Sequence, residues 1–217
     1  TNRSHVGWFD INLDDPSLIL DVSTKPMLKP GPVGRFDGNG IYASSAVRLK
    51  NDSLRFYTIG WNPGHVYPLF YASIGYAESD NNGKTINYRS TAPIMDRSIH
   101  DPTSVTGPCV IFDDDKYKMW YVSGLKWISR KNKHLKSIYH IKYAISNDGL
   151  NWKRNGHVAI DFKSSRELNI ARPCVLKTEQ GYESWFSYGY GGEYQIGYAV
   201  SVDGIKINRD VSQVKVI

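Results

Sequence analysis

The chain has 217 residues, 41% apolar and 22% charged, a balance that excludes disordered, collagen-like and coiled-coil proteins. No apolar run reaches the roughly 18 residues of a membrane-spanning helix. The net charge of +6 permits anionic partners without demanding them. Two cysteines cannot build a disulfide framework, and no Cys/His cluster has metal-ligand spacing. The expectation is a cytoplasmic protein with buried free thiols at Cys109 and Cys174. It needs no metal or cofactor, and neither membrane nor nucleic acid is a partner.

Read in chain order, the sequence repeats. Val6-Gly7-Trp8-Phe9-Asp10 is a degenerate first copy of a unit that returns as Ile74-Gly75-Tyr76-Ala77-Glu78-Ser79. The unit recurs as Ile141-Lys142-Tyr143-Ala144-Ile145-Ser146-Asn147-Asp148-Gly149 and as Ile196-Gly197-Tyr198-Ala199-Val200-Ser201-Val202-Asp203-Gly204. The Asp-Gly and Asn-Gly dipeptides supply the positive φ that a hairpin needs. A second unit precedes each copy: Val47 leads to Tyr57, Val110 to Trp120 and Val175 to Trp185, always ten residues apart. Each pair brackets a polar turn, so the pattern is two short strands joined tightly. A fourth strand follows at Asn151-Trp152-Lys153 and at Ile205-Lys206-Ile207. Three or four strands in every 55 to 67 residues, without helical periodicity, read as an all-β β-propeller with one blade per repeat. Residues 1–217 form a single propeller domain, incomplete at both ends: about three blades plus a partial one, five-bladed if complete.

The phased strand pairs, the Ser-x-Asp-Gly turns and the inner strands Thr106-Gly107-Pro108-Cys109-Val110 and Ala171-Arg172-Pro173-Cys174-Val175 resemble the five-bladed propeller glycoside hydrolases, families 32, 43 and 130 among them. That resemblance implies a glycosidase or glycosyl-transferring enzyme acting on a glycan or sugar conjugate. A non-catalytic glycan-binding propeller is the rival. In the family, catalytic carboxylates sit where inner strands enter the funnel. Thr106 and Ala171 occupy those places here, and Tyr42-Ala43-Ser44-Ser45 has no acid either.

Carboxylates stand slightly upstream, at Asp37, Asp101 and Glu167. Each precedes an inner strand, so any two could serve as acid and nucleophile or base. Equally, each could cap a turn. Arg172 stands where the matching positions hold Ser44 and Gly107; its fork suits a carboxylate or phosphate, or a bridge to Glu167. Trp61, Tyr188, Tyr190 and Tyr42 offer faces and hydroxyls to a sugar, and His100 lies near the mouth, whereas His134, His140 and His157 read as surface residues. The stretch Lys126–Lys136, rich in Lys and Arg, suits a solvated loop or a rim that attracts an anionic sugar.

Overall fold

The computed structural model describes residues 3–129 and 135–209, and among these it contains strands and no helix. A short pair, β1 (Phe9–Ile11) and β2 (Ile19–Val22), opens the chain. A four-stranded antiparallel blade follows: β3 (Gly40–Arg48), β4 (Leu54–Pro63), β5 (Phe70–Ser79) and β6 (Tyr88–Arg89). The next is β7 (Ser104–Asp113), β8 (Lys116–Ser129), β9 (Leu135–Ser146) and β10 (Val158–Ile160); the last is β11 (Asn169–Thr178), β12 (Gly181–Gly189) and β13 (Tyr194–Ser201). A single parallel pair, Asn169 with Tyr139, joins these last two blades. The chain therefore forms three blades and part of another, and the ring is open.

The register shows which repeat positions correspond. Tyr57, Trp120 and Trp185 sit in the second strand of their blades, opposite Ser45, Cys109 and Cys174 and beside Tyr76, Tyr143 and Tyr198. Val110 and Val175 are equivalent, but the matching residue in the preceding blade is Ala46, not Val47. The β3–β4 connection spans residues 49–53, whereas the other two hairpins turn in two residues, which shifts the count. Each inner strand also carries a bulge, at Ala43/Ser45, Thr106/Cys109 and Ala171/Cys174. The bulge re-aims the strand as it enters the funnel.

Blades are held together by three repeated contacts. Ser45 Oγ accepts the Val110 N–H at 2.9 Å and donates to its carbonyl at 3.4 Å. One blade on, Cys109 Sγ does the same with Val175, at 3.3 and 3.9 Å. The second-strand aromatic reaches the next blade's turn: Tyr57 Oη donates to the Gly149 carbonyl at 3.0 Å, and Trp120 Nε1 to that of Gly204 at 2.8 Å. Both glycines have positive φ, 71° and 72°, and a Cβ on Gly149 would stand 2.6 Å from Tyr57 Oη. Around each seam lies an apolar cluster. Val47, Tyr57, Val105, Val110 and Met119 fill one, and Trp120, Ile141, Ile170, Val175 and Phe186 fill the next. The serine and aspartate of each turn pin it: Asp148 accepts the Leu150 and Asn151 amides, both at 2.8 Å, and Asp203 accepts those of Ile205 and Lys206. The sequence-based expectation of buried thiols holds only in part, since Cys109 is half-buried while Cys174 is exposed.

Two expectations follow. Gly149→Ala forces an L-residue into the left-handed region against Tyr57 and should cost about 2 kcal/mol in urea unfolding; an unchanged midpoint would remove the seam from the account. At the next seam, hydrogen bonds from Lys118 (2.5 Å) and Tyr182 hold the Asp113 carboxyl down at about 2. A depressed carboxyl stabilises the fold above its unfolded value of about 3.9, and that contribution disappears as pH falls from about 4 toward 2. Asp113→Asn should flatten this part of the acid-unfolding profile, and a profile of unchanged steepness would contradict the assignment.

Candidate functional site

Antiparallel pairing brings the start of each inner strand beside the end of its second strand. The segments before β3, β7 and β11 thus share one rim with the β4–β5, β8–β9 and β12–β13 hairpins. This rim is the funnel mouth, where the sequence places its candidate acids and aromatics. Two surface depressions around Trp152, of ≈ 520 and ≈ 590 Å³, lie instead among the outer strands.

Asp37, Asp101 and Glu167 each precede an inner strand, as the sequence indicates, but none lines open space. Asp37 and Asp101 expose 0% of their surface and Glu167 exposes 5%. Asp37 is ion-paired with Arg89 of β6 and, at 3.2 Å, with Arg35. Asp101 accepts hydrogen bonds from Ser123 at 2.6 Å, Ser98 at 3.0 Å, Arg154 at 2.9 Å and the Tyr121 hydroxyl, with Lys142 Nζ 3.6 Å away. Glu167 accepts Arg209 at 2.5 Å and the Lys163 amide at 2.9 Å. Its partner is thus Arg209, not Arg172. No hydrogen bond or ion pair among the described residues links any two of Asp101, Glu167 and Arg172.

The three arginine partners were not singled out in the sequence, yet they form a repeat of their own. Arg89 lies opposite Ala77 on the outermost strand. Lys153 bridges Ile145, and Asn208 bridges Val200. In antiparallel register the residues that follow them, Arg154 and Arg209, fall opposite Ala144 and Ala199, the same position as Arg89. Every blade is therefore clamped from the approach to its inner strand across to its outer edge by a buried carboxylate–arginine pair. The signal was present as Tyr88-Arg89, Lys153-Arg154 and Asn208-Arg209, twelve, ten and ten residues past the alanine of a Tyr-Ala unit.

Arg172 is placed quite differently. The bulge gives it a left-handed backbone, φ 53°, at the position where Gly107 has φ 54°. A bulky residue held there costs on the order of 1–3 kcal/mol. Its side chain is exposed on the innermost strand and makes no hydrogen bond or ion pair among the described residues. The matching residue in the preceding blade is Ala43, not Ser44; Ser44 Oγ donates to the Pro108 carbonyl at 3.0 Å.

One tyrosine lies within electrostatic reach of Arg172. Tyr139, whose ionisation burial pushes up and the nearby Arg172 charge eases, hydrogen-bonds the exposed Tyr194 hydroxyl. Tyr188 packs edge-on to Tyr190 at 6.4 Å and beneath the Arg209 guanidinium at 4.9 Å, and Tyr190 is exposed. Tyr42 is exposed on β3. Trp61 is less free, because its Nε1 donates to Ser4 Oγ at 2.9 Å. The His100 ring lies against Gly156, and its carbonyl accepts Lys142. His140, expected at the surface, is buried; its Nδ1 meets Asp161 at 3.0 Å and burial pushes its pKa down. Of the basic stretch, Lys136 donates to the Gly191 carbonyl at 2.6 Å, while Arg130, Lys131, Lys133 and His134 lie outside the described residues.

No family model matches the chain. It is 37% identical over 205 residues to "Uncharacterized protein MT1551" of Mycobacterium tuberculosis (strain CDC 1551 / Oshkosh), and 36% identical to "Uncharacterized protein Rv1502" of strain ATCC 25618 / H37Rv. Each match covers 94% of this chain and 66% of the relative. Among solved structures, a glycosyl hydrolase from Bacteroides ovatus superposes with a TM-score of 0.61 at 16% identity, over 95% of this chain and 59% of that one. The sucrose-6-phosphate hydrolase of Lactobacillus gasseri gives 0.64 at 17%, over 86% and 38%. The β-1,2-mannobiose phosphorylase of Listeria innocua gives 0.60 at 15%, over 87% and 48%. At such identities the likeness establishes the fold.

The clamp is directly testable. Asp101→Asn strands Arg154 and Lys142 without their counter-charge and should destabilise by about 3–5 kcal/mol. In a double-mutant cycle with Arg154→Gln the coupling should exceed about 1 kcal/mol. Additive losses would mean that the pair does not act as a clamp.

Proposed function

We propose that this chain, which carries the propeller fold of glycoside hydrolases and glycoside phosphorylases, is the wall of a carbohydrate-active propeller and binds an anionic sugar or sugar conjugate at its funnel mouth. The observation that carries the reading is Arg172: an exposed guanidinium on the innermost strand, unpaired among the described residues and held in a backbone conformation that favours glycine. Strain of this kind persists where function selects the side chain. The fork matches the oxygens of a carboxylate or phosphate. Tyr190, Tyr194 and Tyr42 supply the apolar faces and hydroxyls that hold sugar rings.

In this reading Asp37, Asp101 and Glu167 are positioning residues rather than acid and nucleophile. Glycosidic cleavage needs two carboxyls that reach the sugar, about 5–5.5 Å or 6.5–9.5 Å apart. Asp101 would first have to leave Arg154, Lys142, Ser98, Ser123 and Tyr121. Breaking a buried pair costs about 3–5 kcal/mol, which lowers any such state to below about one part in a hundred. Recognition of a glycan is therefore better supported by these residues than hydrolysis. Any glycosyl transfer or cleavage takes its carboxylates from outside them.

Arg172→Gly separates binding from stability. It relieves the bulge, so thermal stability should rise by about 1 kcal/mol. Affinity for sugar phosphates and uronides, read by calorimetry at low salt, should fall at least tenfold, while neutral sugars lose little. Unchanged affinity for the anionic ligands would refute the assignment.

A further inference from the structure

Three tight turns on the mouth rim carry an apolar residue at their apex. The Pro32–Arg35 turn, closed by the Arg35 amide on the Pro32 carbonyl at 3.1 Å, displays Val33. The Val66–Leu69 turn closes at 2.8 Å and displays Tyr67; the Ser98–Asp101 turn closes at 3.1 Å and displays Ile99. Val33 and Tyr67 are each 94% exposed and Ile99 is 92% exposed, with Val66 beside Tyr67 at 49%. Turns ordinarily hold Gly, Pro, Asn, Asp or Ser. The corresponding turn before β11, Ser164–Glu167, is polar throughout, with Ser165 and Arg166 at its apex.

Apolar residues scattered singly over a surface need no partner. These are gathered around one hairpin. The Asn62 side chain near the end of β4 donates to the Arg35 carbonyl at 2.8 Å and so ties the Val33 turn to the β4–β5 hairpin. Arg97, two residues before Ile99, packs over the Tyr71 ring of β5 at 4.9 Å, and its neighbour Asp96 accepts Ser73 at 2.7 Å. Phe70 of the same hairpin meets Trp127 of β8 edge-on at 5.6 Å. In residues 29–36, 63–71, 96–101 and 126–129 the exposed fixed charges are Lys29, Arg97 and Lys126 against Asp96 alone.

We propose that this corner of the rim docks on an anionic lipid surface, with Val33, Tyr67 and Ile99 entering the interfacial layer and Lys29, Arg97 and Lys126 facing the headgroups. Shape selects a bilayer over a partner protein. The apices are convex and stand on separate turns, whereas a partner's helix needs a groove; the depressions around Trp152 lie elsewhere, among the outer strands. Single apolar side chains and a tyrosine suit the shallow boundary between headgroups and acyl chains. Charge selects an anionic surface, where each basic residue strengthens binding about fivefold. The sequence gives an expectation of no membrane partner because each turn contributes one residue, which leaves no apolar run. The inference stands apart from the reading of Arg172.

The test is co-sedimentation of the protein with vesicles of phosphatidylcholine alone and of phosphatidylcholine mixed with phosphatidylglycerol. The mixed vesicles should bind it, less so as salt rises. The triple variant Val33→Ser, Tyr67→Ser, Ile99→Ser should bind them at least about tenfold more weakly. Its melting temperature should be unchanged, because all three side chains stand in solvent. Arg97→Gln with Lys126→Gln should weaken binding and flatten its salt dependence, whereas Arg172→Gly should retain it. A protein that ignores the mixed vesicles would overturn the proposal. Equal binding by the triple variant would overturn it too: if Arg172→Gly alone abolishes binding, the headgroup belongs to the funnel, and otherwise the attraction is charge without insertion. Self-association that vanishes in the triple variant, with vesicles unbound, would give the surface to a second copy.

Discussion

The structure depends on one contact between blades: an aromatic side chain from the second strand of one blade donating to the carbonyl of a left-handed glycine in the next. Tyr57 meets Gly149 and Trp120 meets Gly204 in this way. Four demands converge there. The glycine must lack a Cβ, the turn must be pinned by its serine and aspartate, the aromatic must find a partner for its polar tip, and the apolar clusters must close around both. Without this seam each blade would be an isolated sheet with a wet apolar face, too small to be stable alone.

The clamps act within blades and the seams between them. A seam fixes one blade against the next, whereas each carboxylate–arginine pair ties a blade's inner approach to its own outer edge. Asp101 has the fullest set of partners, and the ladder explains why: Tyr121 and Ser123 project from β8 and Lys142 from β9 toward the same carboxyl. Anchoring the approach segments also fixes where the inner strands begin, and so where the bulge at Arg172 falls. The acids shape the funnel mouth without facing it. A carboxylate placed just before an inner strand is thus ambiguous by position alone, and its burial with a full set of donors is what supports a positioning role.

Much of this was legible in the sequence. The three Tyr-Ala units and the turn dipeptides state the blade count and order, because each rests on local chemistry that recurs in every blade, whereas the constant valine-to-aromatic distance is off by one residue where Ala46, not Val47, holds the equivalent place. Arg172 was legible as the odd residue among small ones, although its true counterpart, Ala43, was hidden. One hairpin is longer than the other two, and a bulge has no signature beyond a residue out of phase. The clamps were not read because their halves lie 42 to 53 residues apart, and a carboxylate seen without its arginine looks available for catalysis. His140 was misjudged for a similar reason: its neighbours on β9 alternate, but the Asp161 and Phe162 that cover it come from beyond β10.

The account makes the inner strand the reader of the sugar and the buried acids its support. A crystal structure of the protein with a bound sugar phosphate or uronide tests this most directly. The account predicts density for the anionic group on the Arg172 guanidinium, with Tyr194 or Tyr190 against the ring, and Asp37, Asp101 and Glu167 still paired with Arg89, Arg154 and Arg209. A sugar oxygen within hydrogen-bond distance of any of those three carboxylates, with its arginine displaced, would contradict it.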